Sequence, residues 1–437
     1  MRARKLTDLS RTRAFVIHPE IASGGPAARS AGAQLEEALN LTAALDFEIV
    51  GAVAVNLSEP RAGWLFGSGK IAELGAEITA AEAEIVVINS GVTPKQQQNL
   101  EKAWKVKILD RTGLILEIFG ERAQTREGVL QVELAHLAYQ RGRLVRSWTH
   151  LERQRGGLSF IGGPGETQIE ADRRALDERM VRIRRQLDKV VRTRGLQRRA
   201  RRRMPHPVIA LVGYTNAGKS TLFNRLTGST VMAQDMLFAT LDPTMRIMEL
   251  PGARRAILSD TVGFIANLPT QLIAAFRATL EEVLEADLIV HVRDAAHPDG
   301  AAQDRDVMET LAALGLSEER LESMITLHNK IDLMPADARA ALREQCQRRE
   351  NEAAISAMNG DGVDLALRTI SARLGAADKV RRFRLHSEAG EALAWIYRNC
   401  DVRERRDHKD GIDIEAAASN AVFERLAQRF GQDYDIL

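Results

Sequence analysis

Three short runs of residues have the types and spacing to handle a nucleotide. The first is Gly213-Tyr214-Thr215-Asn216-Ala217-Gly218-Lys219-Ser220-Thr221. It follows the apolar Val208-Ile209-Ala210-Leu211-Val212 and opens the helical pattern Leu222-Phe223-Asn224-Arg225-Leu226. This is G-x-x-x-x-G-K-[ST] between a strand and a helix, the context in which that pattern holds phosphate. The glycines let backbone N–H groups turn inward around the phosphates, and the helix start adds a positive dipole end. Lys219 brings a charge to the β and γ phosphates, and the Ser220 hydroxyl is a ligand for Mg2+.

The second run is Asn329-Lys330-Ile331-Asp332, after the apolar strand predicted over 324–329. Asp332 can accept from guanine N1–H and the exocyclic amine. Adenine offers an acceptor at N1 and no such amine, and a site built to hydrogen-bond a group rejects the analogue that lacks it. Ser356-Ala357-Met358, after Ala353-Ala354-Ile355, has the place of a loop that meets the guanine oxygen. As a bare tripeptide it serves equally as ordinary loop. The third run is Asp260-Thr261-Val262-Gly263 at the end of a strand. Asp260 would hold Mg2+ through water, and the Gly263 N–H would meet the γ-phosphate, so that the loop senses hydrolysis. Phe238-Ala239-Thr240-Leu241-Asp242-Pro243-Thr244 lies where a switch loop belongs. Thr240 is the expected second Mg2+ ligand, with Thr244 as its rival.

No catalytic group is identified. Thr240, Lys219 and Gly263 support hydrolysis, but the position after Gly263, where many GTPases place a water-orienting glutamine, is Phe264. Intrinsic turnover is therefore expected to be slow, or to use another group or a partner. Asn216 has two open readings: a helper for K+, whose charge would replace an arginine finger, or a loop asparagine making local backbone bonds.

These runs need elements to position them. The chain has 437 residues, 45% of them hydrophobic and 27% charged, as in soluble globular proteins of two to four domains. No window is long and apolar enough for a membrane helix, and no apolar segment of secretory type follows the basic start. The two cysteines, Cys346 and Cys400, have no metal-ligand spacing in sequence and fit a reducing compartment. The expected location is the cytoplasm, with peripheral association at a membrane left open.

The spacing predicts strands at 14–17, 47–55, 84–89 and 106–109, and helices at 33–45, 71–81 and 94–104. That alternation is a small parallel α/β domain, assigned to residues 1–125. Residues 126–204 are expected to form a helical hairpin. Leu130, Leu134, Leu137 and Leu144 make one seam, and Leu176, Met180, Ile183, Leu187 and Val190 the other. Gly156 to Gly165 is expected to be a long glycine loop between them. From Arg173 to Arg203 there are 14 Lys and Arg against 3 acids. This stripe is the footprint of a phosphate backbone, and Arg182, Arg185, Arg192, Arg198 and Arg199 are the RNA-binding candidates. The ordinary alternative is a solvated helix face. Lys70, Lys95 and Arg126 read either as further contacts or as plain surface. The phosphate-binding domain is assigned to 205–375, with strands at 208–212, 246–250, 256–260, 288–293 and 324–329. Residues 376–437 read as a small α+β domain with helices at 387–397 and 416–430.

Taken together, these motifs resemble the HflX family of ribosome-associated GTPases, among the Obg-HflX-like P-loop GTPases, from about Leu35 to about Leu374. Gly67-Ser68-Gly69-Lys70, Gln97-Gln98-Asn99-Leu100-Glu101 and the run from Val106 to Leu116 are similar to family signatures. So are Arg126-Glu127-Gly128, Leu130-Gln131-Val132-Glu133-Leu134, Trp148-Thr149-His150-Leu151, Gly163-Pro164-Gly165-Glu166-Thr167-Gln168 and Phe238 to Thr244. The family carries an arginine before Gly163-Pro164-Gly165, where this chain has Gly162. The resemblance implies a P-loop GTPase domain with an N-terminal α/β domain and a helical hairpin. It implies a protein that binds GTP and GDP, needs Mg2+ and associates with the large ribosomal subunit through ribosomal RNA; a monomer is expected, since nothing in the sequence demands an oligomer. There it would split or rescue stalled or idle ribosomes, and the ribosome would stimulate hydrolysis. A different reading is a GTP- or ATP-dependent RNA remodeller not specific to ribosomes. Asp332 argues against adenine there, although a minor ATP site in the N-terminal domain stays open. A scaffold without catalysis leaves the intact phosphate and base motifs unexplained.

Overall fold

A computed structural model of the chain describes residues 11–21, 30–154, 164–201, 206–229, 238, 244–251, 254–266, 282–376, 378–386, 388–409, 411–418 and 420–437. The chain packs as two units, the first running to Arg192 and taking in Phe238 from further along the chain. It opens with β1 (Arg13–Ile21), α1 (Ala31–Ala43), β2 (Glu48–Leu57), α2 (Ser68–Ala80), β3 (Ile85–Ile88), α3 (Pro94–Trp104), β4 (Lys107–Asp110) and α4 (Arg111–Arg122). The strands form one parallel sheet in the order β2-β1-β3-β4. Parallel strands need crossovers, and the helices supply them while covering the apolar faces. Phe15, Ile17, Phe66, Leu74, Ile78, Val86, Ile88 and Leu100 close the core.

Local chemistry sets the helix starts. Thr93 caps α3 by accepting from Gln96 N–H, the Gln96 side chain returns to the Thr93 N–H, and Pro94 stands at the first turn. Such a box is worth about 1 kcal/mol. Asp110 caps α4 by accepting from Gly113 N–H at 2.8 Å. It also accepts from Tyr139 Oη–H at 2.5 Å and Arg143 at 2.6 Å, both on the helix that follows. The unit continues with α5 (Arg126–Gln154) and α6 (Pro164–Arg201). They pack along the expected seams, with Leu130, Leu137, Met180 and Ile183 buried and Leu134, Leu176, Leu187 and Val190 against them; Leu144, expected in the first seam, is not part of this cluster. Glu133 with Arg179, and Arg141 with Asp177 at 2.9 Å, link their flanks. The glycine loop was expected to extend through Gly165, but α6 already begins at Pro164. Proline at a helix start gives up no intrahelical bond, because the first N–H groups have none. The rest of that loop lies outside the described residues.

The second unit contains β5 (Val208–Val212), α7 (Lys219–Thr227), β6 (Thr244–Leu250), β7 (Arg254–Asp260), β8 (Leu288–Asp294), α8 (Gly300–Ala313), α9 (Glu318–Glu322), β9 (Ile325–Asn329), α10 (Ala336–Gln347), β10 (Glu352–Ala354) and α11 (Val363–Gly375). Its sheet runs β10-β9-β8-β5-β7-β6, parallel except for β6 against β7. β5 lies inside the sheet and is apolar throughout, as a strand covered on both faces must be.

β11 (Lys379–Leu385), α12 (Gly390–Asn399), β12 (Asp401–His408), β13 (Gly411–Ala418), α13 (Asn420–Phe430) and β14 (Tyr434–Ile436) complete the chain. Their antiparallel sheet has the order β12-β13-β11-β14. Here the sequence expectation fails in part: 416–418 are strand, not the start of a helix. Ile414 and Ala416 alternate into the core against Phe383 and Leu385, and this pairing overrides the helical preference of alanine. Among the described residues, no helix is long and apolar enough to cross a membrane.

Candidate functional site

The parallel strands of the second unit end at one edge, where open α/β sheets receive ligands. β5 runs into Gly213, and α7 starts at Lys219 after Gly218. Gly218 has φ 91°, and a Cβ there would stand 2.2 Å from Asn329 Nδ2. Only glycine satisfies both the left-handed backbone and the contact. Asn216 is also left-handed, with φ 59°, a conformation asparagine tolerates.

The Lys219 ammonium is buried and donates to the carbonyls of Gly213 at 3.1 Å and Tyr214 at 2.8 Å. Burial pushes its pKa down to about 8, and the Asp260 charge opposes the shift. An anion beside it would restore its preference for the charged form. Ser220 Oγ donates to Asp260 Oδ2 at 2.7 Å. Hydroxyl and carboxylate are the hard oxygen donors that suit Mg2+, so this pair fits the ion. Thr240, the other expected ligand, lies outside the described residues, as do Ala239, Leu241 and Asp242.

The segment after Asp260 is strapped across the phosphate loop. Thr215 N–H donates to Phe264 O at 2.8 Å, and Phe264 N–H to Gly213 O at 3.1 Å. Thr261 Oγ1 donates to Leu211 O at 2.6 Å, and Ala266 N–H to the Tyr214 hydroxyl at 2.8 Å. A Cβ on Gly263 would stand 2.9 Å from Thr215 Cα, so this glycine is required by close approach. Val262 and Phe264 are buried, and the Phe264 ring presents no polar atom to water. Phe238 belongs to the first unit, where its ring meets Phe119 edge to face at 4.7 Å.

The residues expected to read the base converge through one side chain. Asn329 Nδ2 donates to Ala217 O at 2.8 Å, and its Oδ1 accepts from Ala357 N–H at 2.8 Å. It thus joins the phosphate loop to the 356–358 loop. Lys330 is left-handed at φ 64°, and its ammonium meets Asp294 at 2.8 Å. Asp332 sits in a 3-10 turn, Ile331–Leu333, half-buried. Ser356 is buried and accepts from Asn359 N–H at 3.1 Å, Ala357 is buried and Met358 is exposed. Sequence reasoning missed Arg225. From the last turn of α7 it donates Nε to Ala357 O at 2.5 Å and Nη2 to Met358 O, holding the third loop in place. An arginine near a helix end gives no sign of this in the sequence. His291, also missed, lies buried in the sheet; burial, then Arg293, His328 and Lys219, push its pKa down to about 3.

In the first unit, Arg182, Arg185 and Arg192 are exposed along α6. Arg198 and Arg199 fall within α6, but their side chains are outside the described residues.

Four family models match the chain in succession. They are GTP-binding GTPase N-terminal over residues 32–120, GTP-binding GTPase Middle Region over 122–201, 50S ribosome-binding GTPase over 208–330, and HflX C-terminal domain over 341–435. A GTPase HflX of Magnetococcus marinus is 46% identical over 392 residues, 90% of this chain and 89% of that one. The GTPase HflX of Escherichia coli is 38% identical over 381 residues, 86% of this chain and 87% of that one. A GTP-binding protein of Sulfolobus solfataricus, solved with GDP, superposes with a TM-score of 0.45 at 21% identity, over 83% of this chain and 98% of that one.

Proposed function

The chain belongs to the HflX family and is a GTP-hydrolysing enzyme, and from that premise we propose that it is a GTP-driven switch that acts on the large ribosomal subunit to split or rescue stalled or idle ribosomes. The observation that carries the nucleotide side of this reading is the Asn329 bridge, which ties the loop around the phosphates to the loop beside the base. Asp332 then selects guanine, and Ser356 to Met358 face its oxygen. The phosphate loop from Gly213 to Thr221 takes the phosphates, with Lys219 as its charge. Ser220 and Thr240 would hold Mg2+, with Asp260 behind Ser220. The ion supplies charge to the phosphates, and this chain's residues do the positioning.

The strap from Asp260 to Ala266 is the sensing element. Its backbone is bonded to the phosphate loop through Thr215 and Gly213, so a γ-phosphate that draws the Gly263 N–H toward itself competes with those bonds. Phe264 orients no water, which supports slow turnover alone and stimulation by the ribosome. Asn216, exposed in the phosphate loop, is the residue for a K+ effect; equal turnover in Na+ and K+ removes that role.

The ribosomal side of the reading rests on the basic face of α6 and on the family. In function the chain divides at about 125, 204 and 375 into an N-terminal domain, a helical hairpin, the GTPase domain and a small C-terminal domain. The test is steady-state GTP turnover with and without purified large subunits. Turnover should rise at least tenfold with large subunits and not with an equal mass of unrelated structured RNA. Equal stimulation by both would favour the RNA-remodeller reading instead.

A further inference from the structure

One cluster of chemically capable side chains takes no part in the nucleotide site. His328 of β9, Cys346 of α10 and Glu352 of β10 bring three ligand atoms within 4.8 Å of one another. His328 and Cys346 are buried and Glu352 is partly buried. His328 Nε2 lies 3.1 Å from Glu352 Oε2. The other carboxylate oxygen, Oε1, accepts from Arg349 Nη1 at 2.6 Å. The parallel register sets Ala354 opposite His328 and Glu352 opposite Thr326. His328 and Glu352 therefore share one face of the sheet, and α10 delivers Cys346 to it.

We propose that His328, Cys346 and Glu352 form a Zn2+ site. Imidazole, thiolate and carboxylate are the donors that zinc takes in proteins, with three protein ligands and one open position in non-structural sites. The thiol also separates this site from the Mg2+ site, since a soft donor selects against hard cations. A tetrahedral zinc with bonds of about 2.0–2.3 Å needs donors roughly 3.3–3.8 Å apart, so the cluster must close only slightly. The metal takes the place of the hydrogen bond between His328 and Glu352. The Cys346 thiol gives its proton to solvent, and thiolate and carboxylate together cancel the two charges of the cation, which a buried site requires. Arg349 keeps its bond to Oε1 and orients the carboxylate as an outer partner. A cavity of about 390 Å³, lined in part by His291, Thr326, Arg349, Asn351 and Glu352, gives access from the carboxylate side and room for a water ligand.

The ligands come from the three elements that frame the base-reading loops. β9 runs into Asn329, α10 follows the turn that carries Asp332, and β10 leads to Ser356. Zinc would cross-link that frame from behind and slow the release of guanine nucleotide, a consequence that rests on the base site proposed above.

The test uses the full chain saturated with Mg2+ and GDP, with Co2+ as a visible stand-in for Zn2+. The wild type should bind one Co2+ with a near-ultraviolet thiolate-to-cobalt absorption that Zn2+ titrates away. The chain has two cysteines, so Cys400→Ser should keep the band and Cys346→Ser should abolish it. Cys346→Ala, which keeps the apolar packing, serves if the serine variant does not fold. His328→Gln should weaken Co2+ binding at least tenfold. A wild type with no thiolate band, or a band that survives loss of Cys346, overturns the site. If the band is present but Zn2+ leaves the release of a fluorescent GDP unchanged, the coupling to the base site is overturned and the metal site stands.

Discussion

The base-reading frame and the basic helix α6 are built on opposite physical terms. At the frame, one buried amide fixes two loops through two bonds of 2.8 Å, and Arg225 holds the far loop from behind. The two Asn329 contacts are short, directional and buried, so removing that side chain leaves polar groups stranded. Along α6 the arginines are exposed, and binding by such charges is long-ranged and screened by salt. In the reading proposed above, the frame would act by excluding the wrong base, whereas the helix would act by accumulation of charge. Single substitutions should therefore be severe in the first region and mild in the second.

The largest effect is expected at Asp332. Asp332→Asn replaces an acceptor by an amide that donates, and should weaken GDP binding about 1000-fold or more. The same amide matches xanthine, which has a carbonyl where guanine has its amine, so xanthosine diphosphate should bind better than GDP. Fluorescent-nucleotide titration reads both. Next is Asn329→Ala, which strands Ala217 O and the Ala357 N–H. Two such losses at about 1–1.5 kcal/mol each should reduce GDP affinity roughly 30- to 150-fold. A loss below threefold would mean that the two loops hold their places without the bridge.

The helix is tested by number. Replacing Arg182, Arg185 and Arg192 together by alanine should lower affinity for large subunits and reduce the slope of log affinity against log salt by about 2–3, with GDP binding unchanged. An unchanged slope would make this a solvated face and break the contrast. The smallest effect is expected at Phe264. Because its ring is buried, Phe264→Leu keeps most of the packing and should change stimulated turnover less than tenfold. A larger loss with GDP affinity intact would give the ring a direct part in hydrolysis.

What was legible in the sequence follows the same division. The phosphate strand Val208–Val212 and the helix Pro94–Trp104 stand where their patterns put them, because an apolar run between turn signals and a proline-led capping box are local. The seams of α5 and α6 read directly as heptad-like spacing. The run Ala416-Ala417-Ala418 misled, since its residues favour helix and only the partner strands β11 and β12 make it a strand. Within the site, each motif was visible but not what joins them. That Asn329 bonds to Ala217 and Ala357, that Arg225 braces Met358, and that Phe264 pairs with the phosphate loop are contacts between residues far apart in sequence. The cluster of His328, Cys346 and Glu352 was hidden for the same reason: its spacing fits no sequence pattern, and only the packing of α10 on the sheet assembles it.

The central claim is that guanine-nucleotide state governs attachment to the ribosome, and the direct measurement is co-sedimentation with purified large subunits in GDP, in a non-hydrolysable GTP analogue, and without nucleotide. The account predicts that the analogue increases the bound fraction at least tenfold over GDP at physiological salt. Equal binding in all three states would contradict it, leaving a basic helix that adheres to RNA whatever the nucleotide site holds.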